Sequence, residues 1–92
     1  MEQKFLTQLE ANRQKALSMG VRIRPVEDMK QVKRLLSGSR TSDGFTDLMR
    51  KGQLKLSLEA LVVDKRFTAL FTDEEANEAL MRLLEVGYRF GK

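Results

Sequence analysis

Seven basic side chains, Arg22, Arg24, Lys33, Arg34, Arg40, Arg50 and Lys51, are the groups best suited to grip something. Lysine and arginine neutralise phosphates or carboxylates, and on nucleic acid they release condensed counterions. Catalytic chemistry has far less material. The 92 residues contain no histidine and no cysteine, which excludes Ser–His and Cys–His nucleophile pairs, thiolates and imidazole-ligated zinc. The only run of three acids, Asp73-Glu74-Glu75, follows Thr72. That spacing is a helix capping box, with the threonine as cap and Glu75 reaching back to it. The expectation is therefore a protein that binds and is not an enzyme, with no metal and no cofactor.

The charge is uneven. Seventeen Lys and Arg against thirteen Asp and Glu give a net +4. Residues 1–56 hold twelve of the bases and six acids, namely Glu2, Glu10, Glu27, Asp28, Asp43 and Asp47. Residues 57–92 hold five bases and seven acids. A basic first part and an acidic second part are thus expected within one small domain.

The elements that must position the basic groups are mainly helical, α+β at most: a single compact domain of four to six helices with two short strands. Phe5, Leu6, Leu9, Ala16 and Leu17 recur at helical spacing over 2–18. Asn12 and Arg13 interrupt that stripe, so the helix should pack near its two ends, with Gly20 as the stop. Val21-Arg22-Ile23-Arg24 and Gln53-Leu54-Lys55-Leu56 alternate apolar and polar, the period of half-buried strands. Pairing them would put Arg22, Arg24 and Lys55 on one sheet face.

A second helix is predicted over 26–36, with Met29, Val32, Leu35 and Leu36 inward, and a third over 43–51, with Phe45, Leu48 and Met49 inward. Ser37 to Ser42 reads as a flexible polar connection; it lacks the Gly-x4-Gly-Lys-Ser/Thr spacing of a phosphate-binding loop. Ser57 caps a short helix over 58–63, and a turn or short helix follows over 66–71. A last helix runs from Thr72 to Gly87, and Tyr88-Arg89-Phe90 forms a short extended end.

Function follows from the charge layout. The leading expectation is a small nucleic-acid-associated protein, a DNA-binding regulator gripping duplex backbone through the seven named cations. The order helix, strand, helix, helix, strand matches the first part of a winged helix and would make helix three the reading helix. Against this, the connection before it exceeds the three or four residues of a helix-turn-helix. No aromatic lies between Arg13 and Arg40 to stack bases. The alternative is a protein-interaction module, an adaptor, inhibitor or subunit, docking an acidic partner. A core this small is compatible with a homodimer under either reading. The longest apolar runs, such as Ala60 to Val63, are far too short to span a bilayer. The N-terminal residues lack an apolar signal region, and a cytoplasmic location is the expectation.

Overall fold

The computed structural model describes residues 1–38 and 40–88. Its elements are five helices: α1 (Glu2–Ser18), α2 (Met29–Ser37), α3 (Phe45–Arg50), α4 (Leu58–Val62) and α5 (Asp73–Glu85). Single 3-10 turns at Leu54–Leu56 and Thr68–Leu70 precede α4 and α5. The class is mainly α, as the periodicity indicated. Arg89 and Phe90 of the expected extended end lie outside the described residues.

Two adjoining apolar clusters hold the helices. In one, Phe5 packs edge-on against Phe67 and Phe71, both ring centroids 5.3 Å away. Met29, Val32 and Leu36 from α2, Leu58, Leu61 and Val62 from α4, and Ala79 from α5 complete it. The other joins Ala16, Val21, Phe45, Leu48, Leu54, Leu56 and Leu83. The 17 residues of α1 extend about 25 Å at the usual helical rise, the breadth of a molecule measuring 30 × 26 × 26 Å. Its two ends therefore fall in different clusters. Asn12, between them, is buried and accepts from the Gln8 amide at 2.9 Å, so the interruption read in the sequence is a polar joint between two packing sites.

Neither strand forms. Val21 to Arg24 keeps the inward–outward alternation of extended chain, but three of its ladder groups are already taken. The Val21 N–H donates to the Ala16 carbonyl at 2.9 Å, and the Ile23 carbonyl accepts from Arg13 at 3.4 Å. The Arg24 N–H goes to Asp43, and Pro25 has no donor. The segment is a strap from α1 to α2. Leu54–Leu56 coils into a 3-10 turn instead, which directs both Leu54 and Leu56 inward with Lys55 exposed. A spacing of two in a three-residue stretch fits either geometry, so the alternation misled. With no strand among the described residues, the winged-helix order is absent.

Local chemistry sets the helix starts. Asp28 lies before α2 as its cap, accepting the Gln31 N–H at 2.9 Å, so the helix begins three residues later than predicted. Ser57 caps α4. At α5 both bonds of the capping box form, Glu75 N–H to Thr72 Oγ1 at 3.1 Å and Thr72 N–H to Glu75 Oε1 at 2.8 Å. α3 starts from Gly44, whose φ of +75° suits glycine. A Cβ there would lie 2.8 Å from the side chains of Val21 and Ile23. The missing side chain is what lets α3 sit against the strap.

Candidate docking face

The seven candidate cations divide into held and free. Lys33 is held: its ammonium donates to Glu75 Oε1 at 3.0 Å and to the Leu70 carbonyl at 3.1 Å. It also lies 5.3 Å from the Phe71 ring centroid, a cation–π contact. Glu75 is the same carboxylate that closes the capping box, so Lys33 pins α2 to the start of α5. Burial pushes the Glu75 carboxyl up, but the Thr72 N–H, Lys33 and the Thr72 hydroxyl outweigh it, leaving a net lowering.

Arg24 is held at the surface. Its Nε donates to Asp43 Oδ2 at 2.9 Å, joining the strap to the chain before α3. The side chain stays 87% exposed. That hydrogen bond lowers the Asp43 carboxyl below its usual range and raises the guanidinium. Arg50 stands 3.9 Å from Asp47 on the outer side of α3, a weak exposed pair.

Arg22, Arg34, Arg40 and Lys51 are exposed, and no ion pair engages them among the described residues. Arg22 and Arg24 line one shallow groove with Leu17, Ile23, Pro25 and Asp43. Lys30 and Arg34 stand one turn apart on the outer side of α2. The pairing that was to gather Arg22, Arg24 and Lys55 on one sheet face does not exist. α3, expected to be the reading helix, spans six residues and about 9 Å.

Beside the strap opens a cleft of about 170 Å³. Its apolar lining is Leu9 of α1, Ile23 and Val26 of the strap, Leu35 of α2, and Leu56 and Leu58 around the start of α4. Two ion pairs stand in its wall, Glu10–Arg13 and Arg24–Asp43, together with Gln31 and Ser42. Both Glu10 oxygens accept from Arg13, at 2.8 and 2.7 Å. That bond first, and a second from Gln14, bring the Glu10 carboxyl down to about 2. With its charges already matched, the cleft is suited to an apolar group. Charge remains available around it.

The sequence reading missed the groups that fix this wall. Glu59, fully buried on α4, accepts the Ser42 N–H at 2.8 Å and the Ser42 hydroxyl at 2.6 Å. Arg82, 5% exposed on α5, donates to Glu59 at 3.0 Å and to Glu78 at 2.8 Å. It also reaches the carbonyls of Leu36 at 3.3 Å and Gly38 at 2.7 Å, at the end of α2. The connection read as flexible is held at both its described ends. A signal existed for each partner. Glu59 interrupts the apolar run Leu58 to Val63, and Arg82 falls one turn after Ala79 on the inward line of α5.

Among the described residues no three acids gather where a metal ion would be held. No helix there is long and apolar enough to cross a membrane. No protein family, curated protein or solved structure matches the chain.

Proposed function

We propose that this chain is a non-enzymatic docking module whose basic side takes an acidic segment of a partner protein. One observation carries the reading: a cleft lined by six apolar residues and two ion pairs adjoins a groove that holds a cation the fold does not use. Arg22 stands in the groove adjoining it, and Arg34 precedes the cleft-lining Leu35 on α2. A phosphate backbone would engage the cations and leave the cleft empty. An acidic amphipathic segment engages both.

Nucleic-acid binding through Arg22, Arg34, Arg40, Arg50 and Lys51 is the second reading, and the surplus of unpaired cations over 1–56 favours it. Fluorescence anisotropy separates the two. A labelled peptide of about 15 residues, mixing Glu and Leu, is compared with a short labelled duplex from about 50 to about 200 mM salt. Docking predicts peptide binding with a shallow salt slope that Arg22→Ala and Arg34→Ala weaken. Duplex binding with a steep slope, and no peptide binding, would replace this reading with the second.

A further inference from the structure

A wall whose charges are paired with one another says what part of the partner enters. Resting on the docking reading above, we propose that the cleft is an anchor pocket. It takes one aliphatic or aromatic side chain of the partner segment, while a carboxylate within two residues of that anchor is held by Arg22. Size fits a single side chain: an apolar cavity of about 150 Å³ accommodates a benzene ring, and this cleft measures about 170 Å³. Polarity fits as well. Both arginines of the wall already face a carboxylate, so an acidic group entering would lose water while competing with Glu10 and Asp43 for them. An apolar group gains burial against Leu9, Val26, Leu35 and Leu58.

The carboxylate follows from the neighbouring groove. It shares Ile23, Arg24 and Asp43 with the cleft and adds Arg22, exposed and unpaired among the described residues. Arg22 is therefore the unpaired cation that the groove offers a flanking acid. Leu17, 48% exposed, lines that groove, and Leu35, 38% exposed, lines the cleft. Two large apolar side chains left in water thus both border the proposed track. The wall is also preset: Ser42 is fixed by Glu59, and Glu59 by Arg82. A pocket held before binding loses less freedom when it is filled.

Selection from a random displayed peptide library tests this while the partner is still unidentified. Enriched sequences should share one Leu, Ile, Met or Phe with Asp or Glu within two positions. Replacing that anchor by Ala in a synthetic copy should weaken binding about tenfold or more. Leu35→Ser should erase the difference between anchor and Ala peptides, and Arg22→Glu should weaken both. Methyl NMR shifts centred on Ile23, Val26 and Leu35 locate the anchor. If Leu35→Ser perturbs the fold, Val26→Ala serves the same purpose. Acidic peptides that bind with no preferred apolar position, or bind Leu35→Ser with the preference intact, would overturn the anchor and leave docking standing. No enrichment of acidic peptides would overturn both.

Discussion

Arg82 and Arg24 each donate to a carboxylate at about the same distance, 3.0 Å to Glu59 and 2.9 Å to Asp43. Their surroundings could hardly differ more. Arg82 is 5% exposed and is bonded to two carboxylates and to carbonyl acceptors at the end of α2. Arg24 is 87% exposed and crosses only from the strap to Asp43. Buried charge of the first kind is structural, because an arginine taken out of water must be matched on every side. Exposed charge of the second kind adds little to stability and stays within reach of a partner. Sequence charge counts treat the two alike.

Breaking the buried side should have the largest effect. Arg82→Ala leaves Glu59 uncompensated and the α2 carbonyls without their donor, so about 3–5 kcal/mol of stability should be lost in urea denaturation. Pairing Glu59→Gln with Arg82→Met should cost less than the two single changes added together, because no charge is left alone. A fully additive double variant would mean that the two residues do not act as a pair.

Gly44→Ala comes next. It combines a positive φ with a Cβ 2.8 Å from Val21 and Ile23, and a loss of about 1–3 kcal/mol is expected. The same measurement on Thr72→Ala, which removes one bond of the capping box, should give about 1 kcal/mol.

The exposed pair should give the smallest change. Asp43→Asn is expected to cost under about 1 kcal/mol at neutral pH. Because pairing lowers the folded-state pKa of Asp43, its contribution is fully present above the ordinary carboxylate pKa of about 4. It is lost as pH falls through the lowered value. Urea midpoints for Asp43→Asn and the parent should therefore differ at pH 7 and converge in acid. A gap that widened in acid would show that the bridge does not set this pH dependence.

These two arginines also show why the sequence was legible in some places and opaque in others. The α5 capping box, the α1 span and the inward Met29, Val32 and Leu36 of α2 depend on neighbours within four positions, and they were readable; Leu35, also expected inward, is 38% exposed. Glu59 and Arg82 are brought together only by the packing of α4 on α5, and nothing adjacent to either names the other. The strap failed for another reason: Val21 to Arg24 has a strand's alternation, but three of its bonding groups are taken by Ala16, Arg13 and Asp43. Lys33 was counted among available cations because Glu75 and Leu70 are distant in sequence. Of the seven candidates, Arg22, Arg34, Arg40 and Lys51 have no ion-pair partner among the described residues and Arg50 has only the local Asp47, whereas Arg24 and Lys33 have partners distant in sequence that only the fold reveals.

The division between holding and available cations is tested most directly in one variant carrying Arg22→Glu, Arg34→Gln and Arg40→Glu. Its urea denaturation curve and its affinity for a selected acidic peptide are measured together. Stability within about 1 kcal/mol of the parent, with peptide binding abolished, is the predicted result. A variant that unfolds as readily as Arg82→Ala, or that keeps full affinity for the acidic peptide, would contradict it.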